Sequence, residues 1–325
     1  MKYISTRNTK ENFTFKEVFL RGLAPDGGLY IPKKFPIFSK NTLQDLKNLT
    51  YEEIATKIIF DFCSDDFKES EIEQIVKKSY KEFRTEEVVK IKKIGNLNLL
   101  ELFHGPTLAF KDIAMQVMGN IYEKFLENQK KIKNIIVATS GDTGAAAISA
   151  LKGRKNLNIF VLHPHNRISK VQRKLMTTVK EKNVYNLAIK GNFDDCQNLV
   201  KAMFTDELFN KRVNMSGVNS INWARILVQV VYYFFSYFKI DSKKINYSVP
   251  TGNFGDVFSG YVAKKMGLPI QKLIIATNKN DILKRVIDTG KYKNFYRFKV
   301  CQRRNYKLDK NLGKKWLENF KKKNG

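Results

Sequence analysis

Residues 134–153, NIIVATSGDTGAAAISALKG, decide the fold class. Ile135, Ile136 and Val137 form a short β-branched run, Ser140-Gly141-Asp142-Thr143-Gly144 interrupts it, and an alanine-rich stretch follows. Branched side chains favour a strand and alanine favours a helix, so the segment reads as a strand running through a glycine turn into a helix. Residues 245–267, INYSVPTGNFGDVFSGYVAKKMG, repeat the arrangement with Thr251-Gly252-Asn253-Phe254-Gly255-Asp256 at the turn. From about Leu97 further short apolar runs alternate with helical patterns: LNLLELF, LNIFVLHP, NVYNLAIKG and KLIIATN. Such alternation implies an α/β fold with a parallel sheet flanked by helices. Residues 1–95 read differently. An APDGGLYIP turn and two amphipathic helical patterns, EEIATKIIFDF and EIEQIVKKSYKEF, mark a small leading module.

Both glycine turns have the character of anion cradles. Glycine lets backbone approach a ligand closely, and the amides at a helix start, with the helix dipole, favour negative charge there. The alternative is a tight strand-to-helix turn with no ligand. Neither turn matches the dinucleotide or nucleoside-triphosphate loops, and Asp142 and Asp256 disfavour a polyphosphate. A third stretch, ELFHGPTLAFKD, residues 101–112, sets Lys111 just past a Gly-Pro turn. Ile113, Ala114, Val117, Met118, Ile121, Tyr122 and Phe125 then recur at helical spacing, which puts Lys111 in the first turn of a helix. A cation there opposes the helix dipole, and its amine is expected to lose basicity. The competing reading is a solvent-facing lysine.

The chain has 325 residues, 43% apolar, with 59 Lys and Arg against 31 Asp and Glu for a net charge of +28. The length suits about two domains. The most apolar run, ILVQVVYYFFSYF at 226–238, is broken by Gln229 and Ser236 and reads as a buried helix, so no membrane partner is expected. The first residues lack an apolar leader, and a cytoplasmic address is expected. Cys63, Cys196 and Cys301 are widely spaced, which speaks against a disulfide framework and a zinc site, and no metal is expected. The basic excess is spread along the chain rather than gathered in a nucleic-acid motif, except for 15 Lys and Arg against 3 acids over 282–325. Nucleic acid is not expected as a partner.

A lysine of lowered basicity and two anion cradles share a chemical logic. The amine can form a Schiff base with an aldehyde, one cradle can hold that cofactor's phosphate, and the other a substrate carboxylate. Pyridoxal 5'-phosphate carries that pair of groups.

The combination resembles the threonine synthases, pyridoxal-phosphate enzymes of the tryptophan-synthase β-like fold type II. The matching segments run in family order from about residue 3 to about 292: STRN and GLAPDGGLYIP, ELFHGPTLAFKD, ATSGDTGAAA, HPHNRISKVQRKLM, GNFDDCQNLVK, NSINWARILVQVVYYF and VPTGNFGDVFSGYVAKKMGLPI. The resemblance implies that Lys111 is the lysine of the cofactor's internal aldimine and the general acid and base. It implies that Gly252, Asn253, Phe254, Gly255 and Asp256 cradle the cofactor phosphate, with Asp142 near the cofactor's 3′ oxygen. Ser140, Gly141 and Thr143 would face the amino-acid end of O-phosphohomoserine, and Arg167, Ser169 and Asn219 or Asn222 its phosphate. Either asparagine is also a candidate helix cap for INWARILVQ. His104 is expected to pack the turn, and Trp223, Tyr232, Tyr233 and Phe235 to fill core.

The implied reaction makes threonine and phosphate from O-phosphohomoserine and water, by a monomer or homodimer. Alternatives are a serine or threonine dehydratase of the same fold and an inactive truncated remnant. The expected organisation is an N-terminal module over 1–95, an incomplete catalytic region over 96–292 and a divergent basic tail over 293–325. The tail lacks the family's Thr-Ala-His-Pro-like stretch, so a frameshift or truncation, weak cofactor binding and little threonine formation are expected.

Overall fold

The structure, a computed structural model, describes residues 1–219, 222–240, 242, 244–279 and 281–290. The basic tail and Cys301 lie outside the described residues. Strand β1 (Tyr3–Ser5) pairs antiparallel with β2 (Tyr30–Pro32), and helix α1 (Phe15–Arg21) lies between them in sequence. Helices α2 (Lys40–Leu46), α3 (Tyr51–Cys63) and α4 (Glu69–Tyr80) follow. Capping boxes start α1 and α3: Thr14 and Thr50 accept from the amides of Glu17 and Glu53, whose carboxylates reach back to the cap amides. Helix α3 buries Ile54, Ile58, Ile59 and Phe62 at helical spacing.

The hairpin β3 (Lys90–Ile94) and β4 (Leu97–Glu101) is antiparallel, turning on Gly95-Asn96. LNLLELF therefore does not join the parallel sheet, because a two-residue loop can connect only antiparallel neighbours. Next come α5 (Lys111–Leu126), β5 (Lys133–Ala138), α6 (Asp142–Leu151), β6 (Leu157–Pro164), α7 (Lys170–Thr177), β7 (Val184–Ile189), α8 (Phe193–Thr205), α9 (Glu207–Val213) and β8 (Met215–Ser216). Four of these strands form one sheet in the order β7-β6-β5-β8, with every neighbour parallel. Alternate residues serve opposite faces. Ile136, Ala138 and Leu162 pack with Cys196 and Val200 of α8, while Val161 approaches Gly144 of α6.

Helix α10 (Trp223–Lys239) is buried along most of its length. Tyr3, Phe35 and Phe62 surround Trp223 at ring separations of 6.3, 6.2 and 5.7 Å, and Phe19 lies 4.4 Å from Tyr122 of α5. The N-terminal residues therefore share a core with α5 and α10. Tyr3, Phe19, Phe62, Tyr122 and Trp223 are fully buried there, and each such ring contributes about 1.5–3 kcal/mol of transfer free energy. The last elements among the described residues are β9 (Ile245–Pro250), α11 (Gly255–Lys265), β10 (Ile270–Ala276) and α12 (Ile282–Thr289), β9 and β10 forming a two-stranded sheet.

Two compact units result. The first holds the described residues of Met1–Val249 and Phe254–Ile274, the second Pro250–Asn253 and the described residues from Ile275 to Gly290. Within the second, the Thr251 amide donates to the Ala276 carbonyl at 2.8 Å, and Ile282 and Leu283 are buried. Among the described residues no helix is long and apolar enough to cross a membrane, and no cluster of His, Cys, Asp and Glu has metal-binding geometry. Cys63 and Cys196 are both buried free thiols.

Candidate active site

Lys111 is the first residue of α5, and its side chain is only 3% exposed. Its Nζ lies 3.4 Å from Oδ2 of Asp142 and 4.5 Å from the centroid of the Phe110 ring. Two helix starts thus converge, α5 bringing a cation and α6 an acid. Asp142 sits where the α6 dipole favours negative charge, while Lys111 sits where the α5 dipole disfavours positive charge. The carboxylate and the ring face offset that cost and the cost of burial.

The turn before Lys111 is held from several sides. The His104 carbonyl accepts from the Arg84 amide at 2.9 Å, and His104 Nε2 meets Oε2 of Glu101 at 3.2 Å. His104 packs the turn, as the sequence suggests. Asp112, completely buried, reaches back over the turn. Its Oδ2 accepts from the Thr107 amide at 2.7 Å and its Oδ1 from the Thr107 hydroxyl at 2.6 Å. Burial pushes the Asp112 carboxyl up; the Thr107 bonds, the Ala109 backbone and the charge on Lys111 draw it partly back.

The 140–143 turn lies at the carboxyl end of β5. Thr139 Oγ1 accepts from the amides of Gly141 and Gly144 at 2.9 and 2.8 Å, and Ser140 and Thr143 are buried beside it. Gly141 has φ 136°, and a Cβ there would lie 2.3 Å from Cδ of Gln172, so any other residue is strained there and displaces Gln172. Gln172 joins α7 to this turn. Its amide donates to Oδ1 of Asp142, and Ser169, the N-cap of α7, accepts from the Gln172 amide at 3.2 Å and donates to Oε1 at 2.9 Å. Arg167 is exposed in the turn that leads into α7.

The remaining candidates divide. Asn222 is the N-cap of α10 and fully buried: Oδ1 accepts from Ala224, and Nδ2 donates to the carbonyls of Phe19 and Gly217 at 3.0 and 3.1 Å. The cap reading holds for it. Asn219 is half-buried, and its Oδ1 has no hydrogen-bond partner among the described residues. Phe254 stands at the N-cap of α11, followed by Gly255 and Asp256. The Asp256 carboxylate turns to α10, where Oδ1 accepts from the hydroxyls of Tyr232 at 2.5 Å and Tyr233 at 3.0 Å. What Asp256 offers an anion is therefore its backbone amide. Burial raises its carboxyl above the usual range, while Tyr232, Tyr233 and the charge on Lys111 pull it back. Gly252 and Asn253 belong to the second unit and are exposed.

The structure thus brings Lys111, Asp142, Gly141, Ser140, Thr143 and Ser169 into one neighbourhood around the starts of α5, α6 and α7. It adds Thr107, Phe110, Asp112 and Gln172, which no sequence signal singles out. Tyr232 and Tyr233 fill core as expected and also carry a polar task. A buried amine paired with one carboxylate and one aromatic face, beside a glycine turn at the end of a parallel strand, can bind a carbonyl compound covalently and move protons at it.

Comparison with known proteins agrees with this chemistry. The chain matches the family described as threonine synthase N terminus over residues 2–80 and the pyridoxal-phosphate dependent enzyme family over residues 89–299. It is 45% identical to the threonine synthase of Eremothecium gossypii over 309 residues, covering 89% of this chain and 60% of that protein. It is likewise 45% identical to the threonine synthase of Pseudomonas aeruginosa, covering 90% of this chain and 63% of the relative. Among solved structures, pyridoxal-phosphate-bound threonine synthase from Brucella melitensis matches with TM-score 0.84 and 48% identity over 90% of this chain and 64% of that one. Threonine synthase from Escherichia coli matches with TM-score 0.82 and 33% identity over 91% and 68%. The chain spans about 60% of the length of the curated relatives it matches.

Proposed function

The chain belongs to the threonine synthase family of pyridoxal-phosphate dependent enzymes, and from that premise we propose that it converts O-phosphohomoserine and water to threonine and phosphate. The observation that carries the reading is the buried Lys111 amine, held 3.4 Å from Asp142 at the joined starts of α5 and α6. In this reading Lys111 would take the aldehyde of pyridoxal 5'-phosphate, Asp142 would face a polar ring substituent, and the backbone of Phe254, Gly255 and Asp256 at the start of α11 would take its phosphate. When bound, the cofactor withdraws electron density from the substrate's α carbon.

The chain's own residues supply the rest. The Lys111 amine would take the proton from the substrate's α carbon and serve again at the β carbon, a role suited to an amine shielded from water. Ser140, Gly141 and Thr143 hold the amino-acid end of the substrate. Arg167, exposed and able to fork onto phosphate oxygens, binds the leaving phosphate with Ser169 and Asn219. Asn222 is already committed to the start of α10 through Ala224, Phe19 and Gly217. The proposed division is an N-terminal module over 1–95, a catalytic region over 96–292 and a tail over 293–325.

Borohydride trapping with cofactor, followed by peptide mass mapping, should place the adduct on Lys111. Phosphate release from O-phosphohomoserine should fall at least tenfold in Arg167→Ala with cofactor capture retained. An adduct on another lysine, or a preference for serine or threonine as substrate, overturns the reading.

A further inference from the structure

Asp112 is the second residue of α5, yet its carboxylate serves the turn before the helix rather than the helix itself. Both oxygens bond Thr107, Oδ2 through its amide at 2.7 Å and Oδ1 through its hydroxyl at 2.6 Å, and the Ala109 backbone adds to the same side. Between Thr107 and the helix, Leu108 takes φ 58°, a left-handed conformation that a γ-branched residue adopts at a cost, and its side chain is exposed. Packing of the Leu108 side chain therefore does not explain that conformation. Leu108 N–H closes a turn onto the Gly105 carbonyl at 3.1 Å, and the Asp112 amide returns to the Ala109 carbonyl at 3.0 Å. Gly105 lies so close that a Cβ there would meet the Cβ of Asp112 at 2.4 Å. These contacts fold residues 105–110 around one buried carboxylate. At the helix start, Phe110 makes no side-chain cap bond. Its ring instead lies beneath the Lys111 amine.

We propose that Asp112, through its two bonds to Thr107, is the positioning residue that holds Lys111 in its buried place between Phe110 and Asp142. The Lys111 backbone is fixed on one side by α5 and on the other by the clamped turn. Releasing Thr107 lets Leu108 leave the left-handed region, swings Phe110 and frees the start of α5 to unwind by one residue. Lys111 then reaches solvent. That Lys111 is the amine that captures the cofactor rests on the function proposed above; the clamp itself does not.

The test begins with the cofactor-free full chain. Acetylation of Lys111 by acetic anhydride, read by peptide mass mapping against exposed Lys152, should be slow. It should rise about fivefold or more in Thr107→Val and in Asp112→Asn, and return to the original rate in Thr107→Ser, which restores the hydroxyl. An unchanged rate in Thr107→Val overturns the clamp. So does an equal rise at Lys133, which Asn214 holds at the start of β5, because that would mark general loosening. With cofactor added, the visible circular dichroism of the protein-bound chromophore should fall at least threefold in Thr107→Val and recover in Thr107→Ser. A chromophore signal equal to wild type in Thr107→Val counts against the clamp. If the wild-type chain gives no adduct at Lys111, the function reading falls, while the acetylation rates still decide the clamp.

Discussion

At the start of α10, Asn222 commits its whole side-chain amide to backbone: the Ala224 amide, and the carbonyls of Phe19 and Gly217. At the start of α5 the cap position holds Phe110, whose side chain has no oxygen to offer, and Asp112 instead turns back to the preceding loop. Both helix starts are buried, and both carry a polar residue that the sequence marks out for chemistry. They differ in where the backbone's demands are met. At α10 the candidate residue meets them itself, and nothing remains for a ligand. At α5 Asp112 and Thr107 bond to each other within the loop, and the Lys111 amine meets the Asp142 carboxylate. A polar side chain at a helix start is available for chemistry when other groups satisfy the backbone around it.

The sharpest way to break this comparison is to remove both residues in turn. Lys111→Ala should abolish the borohydride-trapped adduct, a loss of at least a hundredfold, and should change stability less than Asn222→Ala does. Asn222→Ala should cost about 3 kcal/mol, roughly 1 for the cap and the rest for buried carbonyls left without donors. The folded fraction should still capture cofactor at Lys111. Denaturant melts paired with adduct yields check both, and a reversed pattern would show that Asn222 belongs to the site.

A smaller effect tests the start of α6, which stands between the two. Gly141→Ala forces a Cβ onto φ 136° and into the Gln172 amide. About 2 kcal/mol of stability should be lost from strain and contact together. Gln172→Ala in the same chain should recover the contact part and leave the strain. Full recovery would mean that the backbone there relaxes freely.

The smallest effect concerns Asp256. Burial raises its carboxyl, so the folded chain holds that proton more readily than the unfolded chain. Its stabilising contribution is therefore complete below the ordinary aspartate range, about pH 4, and is lost as pH rises through the raised value. Asp256→Asn, which keeps an oxygen for Tyr232 and Tyr233, should be more stable than wild type at neutral pH. The advantage should shrink towards pH 4. Thermal melts of the two chains across that range check the sign, and an advantage that grew on acidification would contradict it.

Much of the site is legible in the sequence wherever it depends on neighbours along the chain. The glycine turn at 140–144, the strand before it and the alanine helix after it stand where periodicity and turn chemistry place them, and Lys111 does begin a helix. The β3–β4 hairpin is harder to read, because KIKKI lacks an apolar face and only the Gly95-Asn96 loop marks the reversal. The capping role of Asn222 is one of two readings the sequence allows, and the choice between them needs Phe19, 203 residues away.

The sequence by itself determined the class of fold, the order of its elements and the family, because these follow from local propensity, turn residues and motif order. Only the tertiary structure decided which polar atom meets which partner. It set Asp112 on Thr107 rather than on Lys111, Asp256 on two tyrosines of α10 rather than facing an anion, and Gln172 across Gly141. The physical reason is that a buried hydrogen-bonding group must find a partner, and in a packed interior the nearest one is supplied by whichever element folds against it.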